Sequence, residues 1–249
     1  MSGHNRWSKI KNKKLASDAR KSKGWSKQLK AVAQAASVGI PDPASNPSLR
    51  TAMDKAKADG IPNDTIARAV KKGSGELGEA KLEEMLYEAY GPGGTAVVID
   101  VLTDNKNRTA SEIRYLLDRN NAKLAASGSV TYLFKRRGTV VFEAGTVDEE
   151  KLLDAALTAG AEDLLSEAGT LTVLTEPASF IAVKEALEKQ GFAPATSEIA
   201  MLPETMIRLE GKEAEALLKL INALEDHDDV QNVYVNVDID DEVYEKFAE

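Results

Sequence analysis

The first third of the chain repeats one pattern three times: apolar residues at helical spacing, followed by a glycine. Over residues 17–38 the apolar positions lie three or four residues apart, which places them on one face of a helix. They are Trp25, Leu29, Val32 and Ala36. Two similar stretches run over residues 46–60 and 62–73, each opened by residues that favour a helix N-terminus. Three short amphipathic helices predict a small all-α domain.

Beyond Gly75 the apolar pattern changes to the alternation that is typical of strands. Residues 85–90 and 96–102 predict two strands, and the intervening Gly91-Pro92-Gly93-Gly94 predicts the turn of a hairpin. Thr109 followed by Glu112 has the spacing of a capping box, so a helix is expected to begin there. Residues 130–134 predict a third strand.

From Gly138 onward the predicted elements follow the order β-α-β-β-α-β, which is the ferredoxin-like unit. Their ranges are 139–142, 148–159, 163–166, 170–174, 177–190 and 197–202. A further strand, helix and strand at 206–209, 212–224 and 230–237 have no hairpin of their own. We therefore expect these three to complete the sheet that begins at residue 85.

The predicted fold class is α+β, with an N-terminal three-helix domain followed by two ferredoxin-like α/β domains, one inserted in the other. The domains expected are a basic arm and helical domain at 1–79, a discontinuous α/β domain at 80–136 plus 204–249, and an inserted βαββαβ domain at 137–203. The alternative is two α/β domains in sequence, which would leave the last strand, helix and strand with too little sheet to be stable alone.

Charge is distributed unevenly along the sequence. The 249 residues include 32 Lys or Arg and 40 Asp or Glu, a net charge of −8. Residues 1–79 hold 16 basic and 7 acidic residues (+9), and residues 80–249 hold 16 and 33 (−17). Ten bases against the single acid Asp18 lie within the first thirty residues, together with both tryptophans. Lysine, arginine and exposed indole rings suit a polyanion with stackable bases, so nucleic acid is the partner that this segment favours.

Composition narrows the function classes further. The chain has no cysteine, which removes disulfides, thiolate nucleophiles and Cys-ligated zinc, and fits a reducing, cytoplasmic setting. No apolar run approaches the ~20 residues that span a bilayer, so no membrane partner is expected. His4 and His227 are the two histidines of the sequence and lack metal-ligand spacing. We expect neither a metal nor a cofactor.

Asp104, Asn105, Asn107 and Arg108 form the most enzyme-like cluster of the sequence. Asp and Asn could hold Mg²⁺, and Arg could bind a phosphate. Each residue also suits a turn ahead of a capped helix, and two-metal nucleases need several converging acids where this loop has one. A structural or interface role is favoured over catalysis, and Arg108 is the member of the loop proposed to contact RNA.

Several motifs resemble those of the YebC family, which includes bacterial regulators of the PmpR type and the mitochondrial translational activator of cytochrome oxidase. They run in collinear order over nearly the whole chain. The opening motif is Gly3-His4-Asn5-Arg6-Trp7-Ser8-Lys9-Ile10-Lys11; the others lie at Tyr87–Gly94, Thr103–Thr109, Gly128–Val130 and Asp229–Tyr234. The resemblance implies a helical N-terminal domain with two α/β domains, and a regulator of transcription or a ribosome-associated translation factor.

The sequence therefore predicts a non-enzymatic, nucleic-acid-binding regulator of gene expression. The resemblance implies a DNA-binding transcriptional regulator, and the alternative is a translation factor that contacts ribosomal RNA. Two further classes compete with these. One is a metal-dependent phosphoryl-transfer enzyme, and the other is a protein-binding adaptor docked on the ribosome or a basic protein. The residues predicted to contact nucleic acid are Arg6, Trp7, Lys9, Lys11, Lys13, Lys14, Arg20, Lys21, Lys23, Lys27 and Arg108.

Overall fold

A computed structural model of the chain describes residues 18–78, 82–167, 169–240 and 243. Its helices are α1 (Asp18–Val38), α2 (Pro47–Ala58), α3 (Asn63–Gly73), α4 (Lys106–Arg119), α5 (Glu149–Ala159), α6 (Phe180–Lys189) and α7 (Gly211–Glu225). Its strands are β1 (Glu83–Tyr90), β2 (Ala96–Thr103), β3 (Lys123–Leu124), β4 (Phe134–Glu143), β5 (Asp163–Glu167), β6 (Thr170–Thr175), β7 (Thr196–Pro203), β8 (Ile207–Arg208), β9 (Val230–Val235) and β10 (Val237–Asp238). The predicted α+β class is confirmed.

Helices α1, α2 and α3 pack around one apolar core, as the periodicity predicts. Val32, Leu49 and Ile66 are fully or almost fully buried there. Helix α2 begins where Asn46 accepts a hydrogen bond from the Leu49 amide at 3.0 Å, which satisfies one of the free donors of the first turn. The apolar stripe of each helix, together with the Asn46 cap of α2, fixes this arrangement.

The backbones of α1 and α3 approach each other closely at Gly73. A Cβ atom placed on Gly73 would lie 1.9 Å from the carbonyl oxygen of Ala33. No side chain fits at such a distance, so only glycine permits this crossing of the two helices.

The first sheet has the strand order β3-β1-β2-β9, and the three ladders within it are antiparallel. The predicted hairpin is present, and Gly93 within its turn has a φ of 67°, which favours glycine. Helices α4 and α7 contribute buried Ile113, Leu117 and Leu217.

One strand prediction and one helix start in this part of the chain are wrong. Residues 130–134 do not form its third strand, because Thr131–Leu133 is a single 3₁₀ turn and Phe134 already begins β4. The strand that pairs with β1 is the two-residue β3, which is too short to leave an alternating pattern. Helix α4 starts at Lys106 rather than Thr109, because Asn105 caps it by accepting from the Arg108 amide at 3.1 Å.

Strands β4 to β7 form an antiparallel sheet of order β5-β6-β4-β7, with helices α5 and α6 in the connections. Numbered within the unit, this order is 2-3-1-4, the arrangement of a ferredoxin-like fold. Val140, Phe142 and Leu152 are completely buried in its core. The predicted β-α-β-β-α-β order is present, with β4 starting five residues before the predicted strand.

Strand β8 does not join the sheet that begins at residue 85, contrary to expectation. It pairs in parallel with β10, through Ile207 with Val237 and Arg208 with Asp238. The alternation at 206–209 indicated a strand correctly but carried no information about its partner.

Contacts divide the described chain into two compact units. One comprises residues 132–208 and 236–238; the other holds the described residues before 132, together with 209–235 and those from 239 onward. The predicted domain boundaries stay a prediction. Among the described residues, no helix is both long enough and apolar enough to cross a membrane.

Candidate functional site

The most densely connected polar cluster in the second of these units surrounds Asp229, which lies just before β9. Its side chain is 3 % exposed, yet both carboxylate oxygens have several partners. Oδ1 lies 2.6 Å from Lys30 Nζ, and Oδ2 lies 2.8 Å from Arg108 Nη2. Oδ2 also accepts from the Thr109 hydroxyl at 2.7 Å. One buried carboxylate thus joins helix α1, helix α4 and the segment before β9.

The Thr103–Thr109 loop forms the part of this cluster that comes from one continuous segment. Thr103 and Thr109 are fully buried, and their hydroxyl oxygens lie 2.8 Å apart. The Asn105 amide donates to the Thr103 hydroxyl at 2.9 Å, which leaves that hydroxyl free to orient toward Asp229 at 3.3 Å. The loop therefore presents two hydroxyls and the Arg108 guanidinium to one carboxylate.

Helix α1 reaches the end of α7 through two lysines. Lys27 Nζ donates to the carbonyl of Glu225, the last residue of α7, at 2.5 Å. Lys30 Nζ donates to the Asp228 carbonyl at 3.1 Å as well as to Asp229. The C-terminal carbonyls of a helix carry partial negative charge, so an ammonium group is stabilised at this position.

His227 is held between two segments in a defined tautomer. The Asp229 amide donates to His227 Nδ1 at 3.1 Å, so Nδ1 must be the unprotonated, accepting nitrogen. The proton of the neutral ring is then on Nε2, which donates to Glu112 at 2.8 Å. The histidine therefore links α4 to the segment after α7.

Electrostatics keep Asp229 ionised despite its burial. Burial alone would raise the pKa of its carboxyl, but the hydrogen bonds from Lys30, Thr109 and Arg108 outweigh burial and hold that pKa well below its usual range. The same bond to Asp229 raises the pKa of Arg108, whose guanidinium also lies 3.0 Å from Asp104. The cluster is thus an ion-pair network rather than a set of poised acids.

Glu112, His227 and Asp229 each bring one ligand atom within 4.8 Å of the others, a spacing that could hold a metal ion. Both oxygens of Asp229 are already bonded to cationic groups, however. Lys30 and Arg108 would repel a divalent cation at the same carboxylate. The donor set fits the internal ion pairs better than a metal.

Glu88 connects two further motifs of the same unit, Tyr87–Gly94 and Gly128–Val130. It is 3 % exposed, and its carboxylate accepts from the amides of Gly128, Val130 and Thr131 at 2.5, 2.7 and 2.8 Å. Burial opposes its ionisation, but the hydrogen bonds from these residues lower its pKa to about 2. The Tyr87–Gly94 and Gly128–Val130 motifs are therefore joined by one carboxylate, and the role is structural.

The predicted contact residues fall into three groups. Arg6, Trp7, Lys9, Lys11, Lys13 and Lys14 lie outside the described residues, as does His4. Arg20, Lys21 and Lys23 lie in the first part of α1. Lys27 and Arg108 have the internal partners described above, so their contact with nucleic acid stays a prediction.

Sequence reasoning missed the convergence of Lys30, Glu112, His227 and Asp229. The run of acidic residues at 226, 228 and 229 predicts a solvated face, whereas Asp229 is buried. The signal that could have found it was its place at the head of a motif shared with the resembled family, with a buried strand directly after it.

The chain matches two family models that together cover most of its length. One describes the N-terminal domain of TACO1/YebC proteins and matches residues 5–76; the other describes the second and third domains and matches residues 82–237. The chain belongs to the TACO1/YebC family.

Other members of this family align with it over almost the full length. A probable transcriptional regulatory protein of Geotalea uraniireducens is 49 % identical over 246 residues, and one of Geobacter sulfurreducens is 50 % identical; each alignment covers 99 % of both chains. The crystal structure of a conserved hypothetical protein from Aquifex aeolicus is 41 % identical, with a TM-score of 0.83, covering 91 % of this chain and 93 % of that one. The YebC resemblance drawn from the motifs is confirmed.

Proposed function

We propose that this TACO1/YebC protein is a non-enzymatic regulator of gene expression that binds nucleic acid through its cationic N-terminal segment. The observation that carries the proposal is the +9 charge of residues 1–30 on a chain whose net charge is −8. Lysine and arginine displace the counterions of phosphates, and this gain grows with the number of phosphate contacts, so it favours the segment where cations are concentrated. The relatives' names, probable transcriptional regulatory protein, agree with it.

Eight cations of this segment are assigned to phosphate contacts, with Trp7 stacking on a base or packing beside it. The eight are Arg6, Lys9, Lys11, Lys13, Lys14, Arg20, Lys21 and Lys23. The first part of α1 supports the assignment, because a continuous helix holds Arg20, Lys21 and Lys23 at fixed spacing.

A second candidate, a translation factor that contacts ribosomal RNA, is favoured by the charge of the remaining chain. Residues 80–249 sum to −17, which disfavours laying the whole protein along a duplex. A short cationic segment could contact a folded RNA while the acidic remainder of the chain stays outside. Crosslinking of the tagged protein to genomic DNA, performed beside polysome sedimentation, separates the candidates: DNA peaks without co-sedimentation support transcription, and the reverse supports translation.

Neutralising the eight cations together to glutamine tests the proposal itself. We expect association with nucleic acid and its steep dependence on salt to be lost, while circular dichroism of the folded domains is retained. Undiminished association would refute the proposal. Mg²⁺-dependent turnover of nucleic acid that Asp104→Ala abolishes would instead favour the phosphoryl-transfer class.

A further inference from the structure

Two lysines at the middle of α1 have hydrogen-bond acceptors within the folded protein. Lys27 binds the Glu225 carbonyl, and Lys30 binds the Asp228 carbonyl and the Asp229 carboxylate. All these acceptors belong to residues 225–229, here named the acidic segment. Its sequence, Glu-Asp-His-Asp-Asp, contains four carboxylates.

The surroundings of Lys30 disfavour a phosphate from outside. The concave surface that Lys30 and Arg108 help to line also contains five carboxylates, those of Asp104, Glu112, Asp226, Asp228 and Asp229. Two cations against five anions give a local charge of −3 with His227 neutral. A phosphate that approached Lys30 would have to displace a 2.6 Å ion pair and approach several carboxylates at once.

We propose that the acidic segment is an internal docking surface that withdraws Lys27 and Lys30 from nucleic acid, so that the polymer contacts the chain upstream of Lys27. This inference rests on the proposed function and sets the boundary of its interface. It revises the sequence-based assignment of Lys27 and Arg108, which serve instead to hold helix α1 and helix α4 against the acidic segment. Asp229 is the positioning residue, because it binds both helices.

Lysine acylation followed by mass spectrometry tests this boundary on the intact protein. In the free protein we expect Lys27 and Lys30 to react more slowly than Lys71, which is exposed on α3. When a labelled duplex DNA or the matching single-stranded RNA is added, the reactivity of Lys21 and Lys23 should fall and that of Lys27 and Lys30 should stay unchanged. Protection of Lys27 and Lys30 by the added polymer would overturn the inference.

Matched double variants give the same answer from affinity. Fluorescence anisotropy over a salt series measures the slope of log K against log[salt], which is negative. Arg20→Gln with Lys21→Gln should make this slope shallower by about 2, since each phosphate contact contributes ~0.9. Lys27→Gln with Lys30→Gln removes the same charge and should leave that slope unchanged. Equal losses from the two double variants would contradict the docking model.

Releasing α1 should have the opposite effect. Asp229→Asn removes the charge that holds Lys30 but leaves the Glu225 carbonyl that Lys27 binds, so the slope should become steeper by about 1 as Lys30 reaches a phosphate. Asp228→Asn is the matched control, because it removes one charge beside Asp229 but keeps the carbonyl that Lys30 uses. A wild-type slope in folded Asp229→Asn would refute the model. If that variant does not fold, the two glutamine pairs decide.

These outcomes separate the inference from the function on which it rests. Salt-independent or absent binding by the wild-type protein would remove the proposed function. Fast acylation of Lys27 and Lys30 in the free protein would remove the docking model alone, because that measurement involves no nucleic acid.

Discussion

Glu88 and Asp229 are buried carboxylates of the same compact unit, but different kinds of donors hold them. Glu88 accepts from three backbone amides within residues 128–131. Asp229 accepts from side chains on two helices and at the end of strand β2, including two cations. Backbone amides are available to any carboxylate that reaches them, whereas a side-chain network needs particular residues at distant positions. Glu88 therefore fixes a local loop, and Asp229 fixes the arrangement of separate elements.

The largest expected effect comes from Asp229→Ala, which leaves Lys30, Arg108 and the two threonine hydroxyls without their shared acceptor. We expect the free energy of unfolding to fall by about 3 kcal/mol, the lower end for breaking a buried ion pair because both cations stay partly in water. Urea denaturation at neutral pH measures it. Asp228→Ala, an exposed neighbour, should change stability by less than about 0.5 kcal/mol. Equal effects from the two variants would show that burial of Asp229 contributes nothing.

Glu88→Gln should follow, with a loss of about 2 kcal/mol. The amide group can accept through one oxygen, but its NH₂ faces a backbone donor, so at least one buried N–H loses its partner. Glu84→Gln on the same strand is the control, because Glu84 is exposed. A loss confined to Glu84→Gln would contradict the hydrogen-bonding described for Glu88.

The pH dependence of stability should differ between the wild-type protein and the Glu88→Gln variant because of the Glu88 carboxyl. Its pKa falls from 4.5 to about 2 on folding, so the folded state favours the ionised form. The resulting stability is present above pH 4.5 and is lost as the pH falls toward about 2. We expect the difference in unfolding free energy between wild type and Glu88→Gln to shrink across that range. A constant difference would mean that the Glu88 charge is not stabilised by folding.

Thr109→Val should cost about 1 kcal/mol, since it removes one neutral donor to Asp229 while the ion pairs remain. Thr109→Ser keeps the hydroxyl and should restore most of the loss. Thermal unfolding of the three proteins measures the difference. A serine variant as unstable as the valine variant would assign the effect to packing of the methyl group.

The smallest effect is expected at an exposed ion pair at the open end of the hairpin, where Glu83 pairs with Thr103. Lys106 and Glu83 are 51 % and 54 % exposed, and such pairs contribute at most about 0.5 kcal/mol. A double-mutant cycle with Lys106→Gln and Glu83→Gln measures the coupling. A coupling comparable to that of Lys30 with Asp229 would remove the distinction between buried and exposed pairs in this unit.

The parts of the fold that sequence could predict are those encoded by local patterns. Asn46, Gly73 and the apolar stripe of α1 lie within or beside the elements they define, and the ferredoxin-like order follows from six clear segments. Strand β3 was missed because two residues carry no alternation. The predicted start of α4 was one turn too late, because Thr109 has the same capping chemistry as Asn105. In the structure the Thr109 hydroxyl is buried and bonds to Asp229, and Asn105 caps the helix.

The Asp229 cluster lay beyond local reasoning for a different reason. Lys30, Arg108 and Asp229 are separated by 78 and 121 residues, so no window of sequence contains them together. The sequence does predict that residues of the 103–109 motif form a turn ahead of a capped helix, and Asn105 caps that helix in the structure. That its threonines and Arg108 share one carboxylate follows only from the tertiary arrangement.

The contact between Gly73 and the Ala33 carbonyl restricts which residue position 73 can hold. A side chain in a helical core can be replaced by a larger one if a neighbouring side chain becomes smaller. Main-chain atoms in contact allow no such compensation. The direction in which α1 leaves the bundle is therefore set by a missing methyl group at position 73. Adding a single carbon at Gly73 would therefore push the described part of α1 away from α3.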